Sequence, residues 1–583
     1  NYKNDISLKQ ISSDFYMTPP YFSKFFKTQM GTTFYKYLMS VRLQHAIKLL
    51  LETENNVLKV AMDSGFPNAE SFYRYFQETY DMTPMEYRKK HQLKIEEKKK
   101  KQEKDRIDVM EYLGIKETEK AISEDILCID CIDRKPTDRF WAKHVNIHEL
   151  QTLQDVQMRE QLKELQMHMK YKYARVFFYD DHSDKEEAVD FLRELNLLMW
   201  FVIDYRIIED IDQLCHYLKK MLSNFSNRTS IDTVRLWRFE LVYNTMFDDK
   251  KVGEYWIAYN KIQSVLDHFG CEQLICAGIS LSNMKSVQNF YNKSSDSITE
   301  YSLQTFQSEP YAFVNEDGEL SVVRTTDGGY LRNRILTLQQ NVPAFMEKDN
   351  KPYITGWSDT LLTYSVLNDS CFRGAEIIKN IIDCAGYVKA VAPKMSLDLM
   401  YPIKQHGKIL IGADGLISKH GIKKPSFYSY SFMNRIGDEY LTKDNHSIVF
   451  AHRQNYQIVC HNCKRLSYRY YLEEQNLDLN HYVDYFDDLE PIRLKYQFEN
   501  MKDGEYLVKI RVMSQEKGSV QDEFKKMGLV NELYIHPNDI HYLQQTSIPS
   551  LQLKKITVKN GKATFELELP ANAFAHLHFV YQF

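Results

Sequence analysis

Lys24 and Arg74 stand fifty positions apart in one short pattern written twice. Leu8, Lys9, Phe22, Phe26, Thr33 and Tyr37 recur as Leu58, Lys59, Phe72, Phe76, Thr83 and Tyr87, with no insertion needed to hold the register. A cation at the same place in two equivalent units suits the gripping of a polyanion. A second set of residues has metal-ligand spacing: Cys128-x-x-Cys131 and Cys460-x-x-Cys463. Zinc takes four ligands, yet 329 residues separate the two pairs, and 126–132 also reads as a strand. Buried free thiols are therefore preferred to a shared zinc site. Nine cysteines, an odd number scattered through a long chain, suit reduced thiols. No metal and no other cofactor is expected.

The elements that must position Lys24 and Arg74 follow from local signals. Leu8, Ile11 and Phe15 share one face of a short helix. Thr18-Pro19-Pro20 opens a second, with Thr18 as cap and proline tolerated in a first turn whose amides are unpaired anyway. Phe22, Phe25 and Phe26 form its buried stripe, leaving Tyr21, Ser23, Lys24 and Lys27 outward. Residues 34–51 read as a longer spacer helix. The plan then repeats: a helix over 57–64, a turn at Gly65, Asn68 capping a helix through Phe72, Tyr73, Arg74 and Phe76, and Thr83 capping a closing helix. Helix, tight turn and capped helix with a basic outer face is a helix-turn-helix, whose second helix enters a DNA major groove.

This stretch resembles the DNA-binding domain of AraC/XylS-family transcription regulators. The residues that carry the resemblance are Gly31-Thr32-Thr33-Phe34, Arg42-Leu43, Ala46, Ser64-Gly65-Phe66, Phe72, Phe76 and Thr83-Pro84-x-x-Tyr87-Arg88. Phe15 and Asp81 stand where that family has glycine. A non-glycine in a left-handed turn costs about 1 kcal/mol, which predicts an altered turn but not a lost fold. The resemblance places DNA contacts on Thr18, Pro20, Tyr21 and Lys24 in the first unit. In the second it places them on Asn68, Glu70, Ser71, Tyr73 and Arg74.

The chain divides by texture. Residues 1–91 form the helix-turn-helix domain, and 92–125 a Lys/Glu-rich linker without apolar period. From there eight strand candidates (140–146, 174–179, 197–204, 234–241, 273–279, 298–303, 352–357, 387–393) alternate with helical stretches such as 185–194, 211–225, 254–269 and 371–384. Strand–helix alternation repeated eight times predicts a (β/α)8 TIM barrel over 126–444. After Asn445 the helices are expected to stop, leaving a β-sandwich over 445–583.

The barrel with its sandwich resembles family-39 glycoside hydrolases. The stretch from Gly415-Leu416-Ile417 through Gly421-Ile422-Lys423-Lys424-Pro425-Ser426-Phe427-Tyr428 to Asn434-Arg435-Ile436-Gly437 carries it, with Trp237-Arg238-Phe239-Glu240 and Tyr353-Ile354-Thr355-x-Trp357. Retaining enzymes of this kind need two carboxyls about 5–5.5 Å apart. By the resemblance, the acid/base position falls on Asn244 and the nucleophile position on Gly356, which has no side chain to attack with. Arg175 is kept, but Phe177 replaces a sugar-binding histidine, and no tryptophan follows the eighth strand in Val391-Ala392-Pro393-Lys394-Met395. Asp204, Glu209 and Glu240 near strand ends are read as structural carboxylates. The expectation is a barrel without catalytic residues; a sugar pocket using Trp357 as platform is the lesser alternative.

Charge agrees with this division of labour. Residues 1–104 hold 18 Lys and Arg against 12 Asp and Glu, and the remainder 57 against 67. A basic head on an acidic body suits a head that meets nucleic acid. The most apolar run, 195–203, is half the ~18 residues of a membrane span. The reading is thus a cytoplasmic bacterial transcription regulator that binds double-stranded promoter DNA, its body sensing a ligand or mediating assembly. RNA polymerase, a sugar or other small effector, and a second copy of the chain complete the expected partners, with no membrane. The alternative is a xylosidase-like glycoside hydrolase with a DNA-binding appendix. The chain opens on Asn1, not Met, so a further segment is expected ahead of it. The layout resembles large AraC-family regulators of virulence and biofilm genes in Gram-positive bacteria, and that resemblance implies a cupin-like segment there.

Overall fold

The computed structural model describes residues 7–89 and 123–582. Omitted within them are 15–16, 31–32, 36–37, 40–41, 44–45, 47–48, 51–54, 81, 179–184, 205–209, 243–251, 281–289, 291–299, 307, 315–319, 325–326, 343–349, 359–364, 402–408, 468, 471–476, 478 and 528–535. Phe15, Asp81, Glu209, Asn244 and nearly all of the linker at 92–125 fall outside the described residues. The chain divides into two compact units, 1–121 with 312–321, and 122–311 with 322–583.

In the first unit, α1 (Leu8–Asp14) and α2 (Pro19–Met30) form the first helix pair, and α3 (Val57–Asp63) and α4 (Ala69–Tyr80) the second. The described residues between 34 and 50 are helical, as are 84–89. The phenylalanine stripe does the packing: Phe22 lies 5.7 Å from Phe26, and Phe26 lies 5.5 Å from Phe34, ring to ring. In the second copy Phe72 lies 5.4 Å from Phe76, which meets Tyr87 at 5.3 Å. Val60, Ala61, Phe72 and Phe76 are wholly buried with Ala46 and Leu50.

The second unit is built on eight parallel strands in sequence order. These are β3 (His144–His148), β4 (Tyr173–Phe177), β5 (Leu198–Asp204), β6 (Arg238–Val242), β7 (Ile275–Ser280), β8 (Tyr301–Phe306), β11 (Tyr353–Ser358) and β12 (Ala390–Pro393). Between β8 and β11 in sequence, β9 (Ser308–Val314) and β10 (Leu320–Arg324) pair as a separate two-stranded sheet, part of which falls in the first unit. Side chains help bring the first strand to the last: Asn146 Nδ2 donates to the carbonyls of Pro393 (2.7 Å) and Thr355 (2.8 Å), and His148 Nε2 lies 3.1 Å from the Lys394 carbonyl. The result is the expected (β/α)8 barrel. Its helices include α5 (Val156–Met169), α6 (Lys185–Glu194), α7 (Ile211–Arg228), α8 (Val252–Phe269), α9 (Cys371–Cys384) and α10 (Pro425–Asn434).

Two strand expectations shift. Phe140–Ala142 is a 3-10 turn that buries Phe140 and Trp141 before β3 starts at His144. Ile231–Arg235 is a short helix, capped by Ser230, and the strand begins only at Arg238.

The sandwich has a three-stranded sheet, β1–β16–β19, whose last strand β19 is Ala563–Leu569. A seven-stranded sheet runs in the order β18 (Ser550–Val558), β17 (Gly504–Met513), β20 (Phe574–Gln582), β15 (Asn455–His461), β14 (Ser447–His452), β13 (Glu439–Lys443) and β2 (Lys135–Pro136). Here β1 (Ser123–Asp130) precedes the barrel in sequence, yet it runs parallel to β16 (Ile492–Glu499). Part of the stretch assigned to the barrel thus belongs to the sandwich, because Leu127 and Ile129 bury their side chains in the sandwich core. Helices also return after Asn445: α11 (Val520–Lys526) and α12 (Pro537–Thr546) pack Val520 and Leu543 on Ile409 and Ile422. Their apolar stripes cover the chain that follows the eighth barrel strand. That demand is tertiary and leaves little trace in a strand-like composition.

Candidate nucleic-acid interface and barrel interior

Both second helices turn their polar side outward. On α2, Thr18, Pro20, Tyr21 and Lys24 are exposed, Tyr21 by 61%. On α4, Asn68, Glu70, Tyr73 and Arg74 are exposed and Ser71 is half-buried. The reason is the same in each copy, since the phenylalanines at every third and fourth position claim the inner face. Asn68 Oδ1 accepts from the Ser71 amide at 2.7 Å. Its oxygen is thereby committed to capping, and the amide NH2 is the group left for a base edge. Gln77 was missed by sequence reasoning. It is exposed one turn beyond Tyr73 and Arg74 and extends the same face.

The scaffold beneath α4 is held by identifiable caps. Asn56 Oδ1 accepts from the Lys59 amide at 2.8 Å, starting α3. Thr83 and Glu86 form a reciprocal capping box: the Thr83 amide donates to Glu86 Oε2 at 2.8 Å, and the Glu86 amide to Thr83 Oγ1 at 3.3 Å. Those bonds from Thr83 hold the Glu86 carboxyl below its usual range. Arg88 donates from Nε to the Leu50 carbonyl and from Nη2 to the Asn55 carbonyl, both at 2.7 Å. It thus satisfies backbone groups where the spacer helix ends.

Inside the barrel, Glu240 is fully buried and saturated. Arg175 approaches it with Nε at 2.8 Å and Nη2 at 3.0 Å, Trp200 Nε1 donates at 3.0 Å, and Ser302 Oγ at 2.7 Å. A carboxylate accepting four hydrogen bonds has little capacity left for chemistry. Below it, the Arg238 guanidinium sits between the rings of Tyr173 and Tyr353, 5.5 and 5.4 Å from their centroids. Burial pushes His144 down to about 3 and His148 to about 4, so both are neutral imidazoles near pH 7. His148 stacks on Phe177 at 5.6 Å.

Gly356 lies in β11, where pairing with β8 steps out of register between Ile354 and Gly356. That irregularity turns Trp357 away from the interior. Tyr353 faces in, while Ile354 and Trp357 both join the core between barrel and helices. Trp357 is 2% exposed, and the buried Arg373 guanidinium covers its ring at 4.4 Å. It offers no face to a sugar, and the platform reading is withdrawn. Asp204 is buried at the end of β5.

Beyond the strand ends Lys424 is buried between Asp369 (2.6 Å) and Asp398 (3.2 Å). Burial pushes the Asp398 carboxyl up to about 7; Lys424 opposes the shift and Asp369 adds to it. Gly415 has to be glycine here, since a Cβ would lie 2.4 Å from the Asp398 backbone nitrogen. The four cysteines of the spaced pairs are free thiols, exposed at Cys128, half-buried at Cys463, and buried at Cys131 and Cys460. Among the described residues no three His, Cys, Asp or Glu side chains converge to hold a metal. No described helix is long and apolar enough to cross a membrane.

Comparison with known proteins supports both halves. A family model described as a helix-turn-helix domain matches residues 11–90. The regulatory protein PocR of Salmonella typhimurium is 33% identical over 85 residues, covering 15% of this chain and 28% of its own. An HTH-type transcriptional regulator of Staphylococcus aureus, itself uncharacterised, is 20% identical over 97% of this chain and 75% of its own. Among solved structures, a family-39 glycoside hydrolase from Xanthomonas axonopodis superposes with a TM-score of 0.65 at 14% identity, covering 79% of this chain and 98% of that one. A monomeric β-xylosidase from Caulobacter crescentus gives 0.65 at 16%, covering 79% and 100%. The chain joins an AraC-type helix-turn-helix domain to a body with the fold of family-39 glycoside hydrolases.

Proposed function

We propose that this chain is a sequence-specific, DNA-binding transcription regulator of the bacterial cytoplasm whose body has given up glycosidase chemistry. The observation that carries the reading is the duplicated outward face: the same fold position presents Lys24 in one unit and Arg74 in the other. Thr18, Pro20, Tyr21 and Lys24 would meet one stretch of major groove; Asn68, Glu70, Ser71, Tyr73 and Arg74 would meet another. For the body we favour ligand sensing or assembly. The candidate acid/base and nucleophile positions are Asn244 and Gly356, and the nearby Glu240 is already neutralised by Arg175. RNA polymerase, a sugar or other small-molecule effector and a second copy of the chain are the further partners this reading proposes.

A mobility-shift titration against the chain's own promoter region tests the first half. Arg74→Ala should weaken binding by about 1–3 kcal/mol if it reads a base edge. Unchanged affinity would remove Arg74 from the interface. The alternative, an enzyme on sugars, is tested with an aryl xyloside. Turnover by the pure chain that disappears on mutating a barrel carboxylate would reverse the assignment.

A further inference from the structure

A pocket of about 420 Å3 lies where the barrel's helices meet the sandwich, and its wall carries Lys170, Arg435, Arg511 and three histidines. Four elements build it. Strand β20 (Phe574–Gln582) alternates so that His576 and His578 share a face, and β17 (Gly504–Met513) sets Arg511 directly across from His576. The end of α5 contributes His168 and Lys170, and Arg435 follows α10.

The pocket lining includes no carboxylate. Glu164, one turn before His168, is engaged by His168 and by Lys423. His576 is 1% exposed, and neither ring nitrogen makes a hydrogen bond of normal geometry, although the Arg435 carbonyl interacts with the ring. Its ring lies 5.7 Å from that of Phe432 and 6.2 Å from that of His578. Burial, then the nearby His578, Arg511 and Arg435, hold it neutral against the pull of the Arg435 carbonyl. Arg511 itself is held below the usual guanidinium range by burial and by Arg435.

Gathering like charges around a buried, poorly satisfied imidazole costs stability. An anion in the pocket would offset that cost. From this geometry we infer that the pocket is a binding site for a small phosphate monoester or similar dianion. Arg435 and Arg511 would take its oxygens in the forked geometry guanidinium favours, and His576 would supply a donor from below. The concave shape and its volume suit a phosphorylated small molecule, whereas a duplex backbone needs an open row of cations. This site does not depend on the DNA-binding reading.

Calorimetric titration of the full chain with inorganic phosphate, glucose 6-phosphate and glucose, at fixed ionic strength, tests it. Both phosphates should bind and glucose should not. Arg511→Gln should weaken them roughly tenfold or more, as expected for one lost charge-assisted contact. Without ligand the same variant should melt higher than the parent, because repulsion from Arg435 is relieved. Should Arg511→Gln fail to fold, the exposed Arg435→Gln serves the same purpose. Absence of saturable binding up to ~10 mM phosphate would overturn the site, as that already corresponds to very weak affinity. So would undiminished binding in both variants. A variant that loses affinity for unrelated duplex DNA while still binding phosphate would reassign the cluster to a DNA contact.

Discussion

Arg175 holds Glu240 through two hydrogen bonds, 2.8 and 3.0 Å long, with neither side chain more than 3% exposed. In a barrel of this fold a buried carboxylate invites a catalytic reading. The pair argues for a structural role instead. Removing one partner strands the other charge, so Glu240→Ala should cost about 3–5 kcal/mol of stability. Replacing both, as Arg175→Met with Glu240→Leu, should recover most of that loss. Urea unfolding of the three proteins checks it; a fully stable Glu240→Ala would show that the pair carries no structural weight.

The two outward cations should differ from their neighbours in salt dependence. If Lys24 contacts a phosphate, Lys24→Ala should weaken binding to all sequences about equally. It should also lower the slope of log affinity against log salt by about 1. Tyr21→Ala should leave that slope unchanged. Identical slopes for parent and Lys24→Ala would take Lys24 off the phosphate backbone.

Stability should respond to pH through two opposed sets of buried groups. His144 and His148 are pushed down to about 3 and about 4, chiefly by burial. An unfolded histidine protonates near 6.5, so their contribution is present above that value and lost as pH falls toward 4. Asp398, raised to about 7, works in reverse. Its contribution is present below the ordinary carboxylate range and lost as pH rises through about 7. Asp398→Asn should therefore gain on the parent at pH 8 relative to pH 5, read as urea midpoints. An unchanged difference between the two pH values would mean that Asp398 does not titrate there.

Thiol chemistry should follow burial. Burial pushes Cys131 up to about 11 and Cys460 up to about 12, whereas Cys128 is exposed on β1. Alkylation of the native chain at pH 8 should label Cys128 well before Cys131 or Cys460, and a chelator should leave the melting temperature unmoved. A fall in melting temperature on chelation would revive the zinc reading of the spaced pairs.

Sequence alone determined the features that repeat over short distances. The two Phe-striped units follow from residues three and four apart, and strand–helix alternation follows from composition within single elements. The glycine at 356 needs no structure to be recognised as unable to attack. Tertiary structure decided what depends on pairing and register. It laid β1 beside β16, across 369 residues, with Cys128 meeting Gln497. It brought Arg175 to Glu240 across 65. One irregular step between Ile354 and Gly356 decided which way Trp357 faces. Side chains in a strand alternate with period two, so a shift of one residue exchanges inside for outside. Gly356 hints at an irregularity, since a glycine inside a strand often marks a bulge, but it does not say which side chains then face inward. That is set by how β11 meets β8 and β12.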